Sequence, residues 1–219
     1  ALEDLSAVMA SRPDGIFLPK AEHANDAETL AGHIAELEAR HGIEVGSTSV
    51  MLVAIETAKG LLNIGSYTQV NARVQGLSWG AVDLSATIGA ISNVDEAGNF
   101  TAPYEHARTM TLVAAGACEV QAVDTAFLNF RDDAGLREDC LKARRDGFLG
   151  KLAIHPAQVA VINEVFMPSA EEVEQARAVV KAFADSPQAG SVSLNGKMLD
   201  KPHLLQAERT LSVAAQYGG

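Results

Sequence analysis

The stretch Met51-Leu-Val-Ala-Ile-Glu56-Thr-Ala-Lys59 is a short apolar run that ends on a carboxylate and passes into polar, helix-forming residues. Gly76-Leu-Ser-Trp-Gly-Ala-Val-Asp83-Leu-Ser85 has the same form. So do Asp14-Gly-Ile-Phe-Leu-Pro-Lys20, Glu119-Val-Gln-Ala-Val-Asp124 and Phe148-Leu-Gly-Lys-Leu-Ala-Ile-His155-Pro156 on either side of them. A buried strand, a charged residue at its end and then a helix is the unit of a β/α barrel, whose active sites gather at the C-terminal ends of the strands. Two acids at such positions, Glu56 and Asp83, could hold a divalent metal, which points to chemistry.

Between these runs the apolar residues recur with helical spacing. Asn25-Asp-Ala-Glu28 has the chemistry of a helix start. Ala27, Leu30, Ala31, Ile34 and Leu37 then share a face, and His41-Gly42 stops the helix. A short helical stretch follows Glu56, and a short strand-like piece near Val74 leads to the Asp83 strand. Residues 85–100 read as a polar loop beside the site. Residues 104–116 and 136–146 read as helices, the second closed by Gly147. Strands that are apolar throughout, alternating with helices, indicate a parallel sheet covered on its faces.

The count is about five strands, whereas a closed barrel of this kind needs eight. After Pro156 the rhythm changes. Residues 157–166 and 169–184 read as helices, the second opened by a Ser169…Glu172 capping box. Residues 191–194 alternate like a strand, Asn195-Gly196 makes a turn, and Pro202 suits the start of a last helix. The expected organisation is a partial α/β barrel over residues 1–165 and a helical extension or lid over 166–219.

Composition narrows the partners. In 219 residues, 47% are hydrophobic and 21% charged, as in ordinary globular chains. A formal net charge of -11 argues against nucleic-acid binding. Two cysteines, Cys118 and Cys140, lack metal spacing and fit reduced thiols of a cytoplasmic protein. Neither a signal sequence nor a membrane span is expected.

The sequence resembles the HpcH/HpaI aldolase and citrate lyase beta-subunit family, in its CoA-thioester lyase branch. The motifs that carry the resemblance are Gly15-Ile-Phe-Leu-Pro-Lys20, Ala54-Ile-Glu56-Thr-Ala-Lys-Gly-Leu61, Gly80-Ala-Val-Asp83-Leu84 and Gly150-Lys-Leu-Ala-Ile-His155-Pro-Ala-Gln158. Phe166-Met-Pro-Ser-Ala-Glu-Glu-Val173 and Leu194-Asn-Gly-Lys-Met-Leu-Asp200-Lys-Pro202 follow in the same order. The resemblance implies a TIM-type (β/α)8 barrel, of which this chain carries about strands 4–8 and a C-terminal hairpin and helix. The family's first three strands, one bearing a substrate-gripping arginine, have no counterpart here. Val82 stands where relatives often have glutamate.

The resemblance further implies Glu56 and Asp83 as ligands of Mg2+, and Asp200 as a catalytic acid–base group on a lid from a neighbouring subunit. Read without it, Glu56 and Asp83 suit ion pairs with barrel lysine or arginine better than a metal, and Asp200 suits a helix cap. Lys20, Ile154, His155 and Pro156 are expected at the substrate, with Lys20 alternatively pairing a neighbouring carboxylate. The expected activity is magnesium-dependent cleavage of a 3-hydroxy-3-carboxyalkyl thioester (citramalyl-, malyl- or citryl-, on CoA or an acyl carrier) to a 2-oxo acid and an acyl thioester, by a homo-oligomer, most simply a trimer. The alternatives are an inactive barrel homologue serving as a binding or assembly subunit, and an aldolase acting on free 2-oxo acids.

Overall fold

The structure is a computed structural model and describes residues 2–217. It divides into two compact units, Ala1–Val159 and Ala160–Gly219. The division falls inside the helix expected at 157–166, six residues before the boundary expected after residue 165.

In the first unit the elements run α1 (Leu2–Met9), β1 (Gly15–Leu18), α2 (Ala24–His41), β2 (Ser49–Ile55), α3 (Ala58–Leu62), a 3-10 turn (Ile64–Thr68), β3 (Val74–Trp79), α4 (Ala81–Ile88), α5 (Ala102–Ala117), β4 (Gln121–Asp124), α6 (Asp133–Asp146), β5 (Gly150–Lys151) and the start of α7 (Pro156–Phe166). The five strands form one sheet in the order β1-β2-β3-β4-β5, every pair parallel. Sequential order means that each crossover steps one strand in the same direction, the winding of a barrel. All strand C-termini therefore share one edge of the sheet. β2 and β3 are buried almost throughout because Val50, Leu52, Val53, Ala54, Ile55, Leu77 and Trp79 have apolar neighbours on both faces.

Local chemistry departs from expectation at four places. The α2 N-cap is His23 rather than Asn25. Its Nδ1 accepts from the Asn25 amide, and the Asp26 carboxylate accepts from the His23 amide. Val74 and Trp79 belong to one strand, so Asp83 lies in the first turn of α4 rather than in a strand. Residues 85–88 continue that helix instead of joining the loop. The β5 ladder covers only Gly150–Lys151, and Ile154 and His155 form a bend before α7.

Two buried charge clusters hold the first unit. Glu38, from α2, is fully buried and accepts four hydrogen bonds. They come from the Gly46 and Thr48 amides at 2.8 and 2.9 Å and from Arg73 Nη1 and Nη2 at 2.8 and 2.6 Å. The bidentate Arg73 contact, reinforced by the amides, outweighs burial and lowers the Glu38 pKa from the ordinary 4.5 to about 2. At the other end of the sheet, Asp124 is 1% exposed. Its Oδ1 accepts from Trp79 Nε1 at 2.8 Å and the Thr125 amide at 2.9 Å. Its Oδ2 accepts from Arg108 Nε at 3.2 Å and Lys151 Nζ at 3.4 Å. Asp146 and Asp139 pair the other sides of Arg108 and Lys151.

The second unit contains the rest of α7, then α8 (Ala170–Ala184), a hairpin of β6 (Ser191–Leu194) and β7 (Lys197–Asp200), and α9 (Lys201–Tyr217). Ser169 and Glu172 form the expected capping box. Ala176, Val179, Phe183 and Ala207 make the core, with Val192, Leu194, Leu199 and Leu211 packed on it. The hairpin turns at Asn195-Gly196, both at positive φ, as the strand twist favours. Among the described residues no helix is long and apolar enough to cross a membrane.

Because the Glu38 pKa is lowered on folding, its contribution is complete above about pH 5 and lost as the pH falls toward 2. The 4.5-to-2 shift corresponds to about 3 kcal/mol. Glu38→Gln is expected to lower Tm near neutral pH and to flatten the decline of Tm from pH 5 to 2. Asp124→Asn leaves Arg108 and Lys151 undercompensated, with an expected loss of about 3 kcal/mol in urea unfolding at an unchanged m value.

Candidate active site

At the C-terminal edge of the sheet, β1, β2 and β3 deliver Lys20, Glu56 and Asp83 to one point. Lys20 touches both acids. Its amide donates to Glu56 Oε2 at 2.5 Å, and its Nζ lies 3.0 Å from Asp83 Oδ1. Lys20 has φ +53°, a left-handed conformation that side chains other than glycine adopt at a cost. That turn points the amide at one carboxylate while the side chain reaches the other.

The approach of β2 to α4 depends on Gly80. Its amide donates to the Ile55 carbonyl at 2.8 Å. A Cβ at this position would lie 2.8 Å from Glu56 Cγ and 2.9 Å from Oε1, so only glycine leaves room for the Glu56 side chain. Asp83, in the first turn of α4, stands where the helix dipole favours an anion. Burial raises the Glu56 pKa, the Lys20 amide opposes that shift, and the Asp83 charge adds to it. The Lys20 pKa is raised, through its hydrogen bond to Asp83 and that carboxylate's charge.

Behind Glu56, Thr57 caps α3 by accepting from the Gly60 amide at 3.0 Å and donates to Glu22 Oε1 at 2.8 Å. Glu22 Oε2 also lies 2.9 Å from Lys59 Nζ. The Lys59 contact, then the Thr57 hydroxyl, lowers the Glu22 pKa. Sequence reading passed over Glu22, although a second charge two residues beyond Lys20 at the same strand end was its signal. On the far side, Phe100 stacks edge-on to Trp79 with centroids 5.2 Å apart, anchoring the loop after α4. Tyr104 Oη donates to Ser85 Oγ at 2.8 Å.

The other expected residues are placed differently. Ile154, His155 and Pro156 follow β5, on the same edge but at the end of the strand order opposite β1. Ile154 is 54% exposed, and its amide donates to Gln158 Oε1 at 2.9 Å. The buried Gln158 donates onward to the Phe127 carbonyl at 2.8 Å. The His155 ring stacks on Phe130 with centroids 4.4 Å apart, and its Nδ1 accepts from the Ala157 amide. Asp200 belongs to the second unit, at the end of β7.

Among the described residues no three histidine, cysteine, aspartate or glutamate side chains converge as a metal cluster. The donor set is therefore a carboxylate pair compensated by one ammonium. Such hard oxygen donors fit a small divalent cation that takes its remaining ligands from water and substrate.

The sequence pattern of the HpcH/HpaI aldolase/citrate lyase family matches residues 1–156. The chain is 32% identical over 213 residues to citrate lyase subunit beta of Leuconostoc mesenteroides subsp. cremoris, covering 96% of this chain and 68% of that protein. It is 33% identical over 227 residues to the mitochondrial citramalyl-CoA lyase of Homo sapiens, covering 98% and 64%. Among solved structures, the protein CitE of Mycobacterium tuberculosis, in complex with magnesium, acetoacetate and coenzyme A, superposes with TM-score 0.72 at 30% identity. That match covers 97% of this chain and 73% of the other. The chain thus spans about two thirds of the length of these curated relatives. With the parallel, sequentially ordered strands and the motifs in family order, these matches establish that the chain belongs to the HpcH/HpaI aldolase/citrate lyase family.

Proposed function

We propose that this chain acts as a magnesium-dependent carbon–carbon lyase that cleaves a 3-hydroxy-3-carboxyalkyl thioester to a 2-oxo acid and an acyl thioester. The observation that carries the reading is the meeting of Glu56 and Asp83 through Lys20 at the C-terminal edge of a parallel sheet. Support comes from relatives named as citrate lyase subunit beta and citramalyl-CoA lyase, and from the CitE complex holding magnesium and coenzyme A.

In this reading Glu56 and Asp83 hold Mg2+. When bound, the ion supplies Lewis-acid polarisation of the oxygen that is a carbonyl in the 2-oxo acid and an alkoxide during cleavage. The chain's own groups do the rest. Lys20, freed from Asp83, offers its ammonium to the substrate carboxylate. Ile154, His155 and Pro156 form the wall along the thioester arm, where the exposed Ile154 presents apolar surface. Asp200 exchanges a proton with the thioester α-carbon or the substrate hydroxyl. It does so from the lid of a neighbouring copy, in a homo-oligomer, most simply a trimer. The thiols of Cys118 and Cys140 are free, which suits a reducing compartment such as the cytoplasm.

Glu56→Gln and Asp83→Asn are each expected to abolish magnesium-dependent cleavage of citramalyl-CoA or malyl-CoA, and to remove magnesium binding measured by calorimetry. Wild-type rates in either variant would sink the assignment. Gly80→Ala, which pushes on Glu56 without touching its chemistry, is expected to weaken magnesium binding about 10-fold while the fold survives. Magnesium binding without turnover of any thioester would instead favour a binding or assembly subunit. Turnover confined to free hydroxy acids would favour the aldolase.

A further inference from the structure

Asp200 ends β7 and stands at the N-cap of α9, whose first turn is Lys201, Pro202 and His203. An N-cap carboxylate ordinarily accepts from the amides two and three residues further on. Pro202 has no amide hydrogen, so the nearer of those donors does not exist. The His203 ring takes its place. Nδ1 lies 2.5 Å from Asp200 Oδ1 and 3.2 Å from the Asp200 amide nitrogen.

One ring nitrogen cannot serve both contacts at once. With a lone pair it accepts from the amide, and with a proton it donates to the carboxylate. With Nδ1 protonated the contact to Oδ1 is a charge-assisted hydrogen bond, and the Asp200 amide then turns to another acceptor. The pair is open on its outer side, with the two side chains 49% and 53% exposed. The hairpin register explains why. Val192 faces Leu199 on the packed side, whereas Ser191 faces Asp200 and Ser193 faces Met198 on the other. Asp200 therefore sits on the unpacked face, beside a methionine that is 77% exposed.

We infer that His203 is a positioning residue for Asp200, an inference that rests on the acid–base role proposed for Asp200 above. Nδ1–H of His203 holds one carboxylate oxygen and so aims the other at the substrate. The transferred proton passes only between that free oxygen and the substrate, and His203 neither gains nor loses one over the cycle.

The test uses the full chain with magnesium and citramalyl-CoA or malyl-CoA. His203→Glu offers the Asp200 amide an acceptor, as in a capping box, but cannot donate to the Asp200 carboxylate. His203→Met removes donor and acceptor without adding charge. Both are expected to lower kcat about 10- to 100-fold with KM nearly unchanged. His203→Asn restores an N–H near the Nδ1 position and is expected to keep most of kcat. Imidazole 15N spectra should show Nδ1 protonated in the wild type, and the proton moving toward Nε2 in Asp200→Asn.

Wild-type kcat in a folded His203→Glu or His203→Met overturns the inference, because His203 would then be only a cap. So does a His203 with Nδ1 unprotonated beside Asp200. Wild-type turnover by Asp200→Asn overturns the reading of Asp200 itself, a result separate from any His203 variant.

Discussion

The C-terminal edge of the sheet depends on one buried carboxylate. Asp124 takes hydrogen bonds from Trp79 on β3, Arg108 on α5 and Lys151 on β5, so a single side chain links three strands and a covering helix. Trp79 is the last residue of β3, and the next residue, Gly80, bonds back to β2 through the Ile55 carbonyl. Where Trp79 is held, Gly80 is held, and with it the entry of α4 that carries Asp83. The short β5 strand, with only two ladder residues, draws its register from Lys151 reaching both Asp124 and Asp139. Ion pairs buried this deeply contribute little net stability over an apolar core, but breaking one is costly. Their effect here is to allow one arrangement of strand ends.

On that foundation the mouth is assembled from short-range pieces. Each acid lies within a few residues of a strand that cannot shift without exposing apolar side chains. Lys20 then ties the acids together by two different bonds. Its amide bond to Glu56 is fixed by the backbone, whereas its ammonium contact with Asp83 is exposed and exchangeable. The Glu56 end is thus held by the backbone and the Asp83 end adaptable, a division that suits the cation and substrate of the proposed function.

What the sequence disclosed followed physical range. β2 and β3 were legible because a strand buried on both faces must be apolar throughout, and Glu56 because it breaks such a run. The hairpin turn at Asn195-Gly196 and the Ser169…Glu172 cap were legible because their chemistry is local. Asp83 was found at the correct end of β3 but assigned to a strand, since Gly80-Ala-Val reads equally well as strand or helix start. His23 escaped notice as a cap because histidine rarely caps. The contacts of Asp124 with Arg108 and Lys151 join residues 16 and 27 positions apart, which no periodicity encodes. The amide of Lys20 was invisible for a simpler reason: every residue but proline has one, and only the fold aims it.

The left-handed backbone of Lys20 has a consequence for how this mouth can change. A glycine there would relieve about 1 kcal/mol of steric cost and could keep the amide bond to Glu56. A gain in robustness at this position therefore leads away from a charged mouth, and in the proposed function the ammonium is what favours lysine here. Lys20 is one of four non-glycine residues at positive φ among those described, and in the proposed function thermal tolerance and turnover are opposed at it. Lineages that no longer need the cation at this edge have a downhill substitution open to them, and the sheet beneath would remain intact.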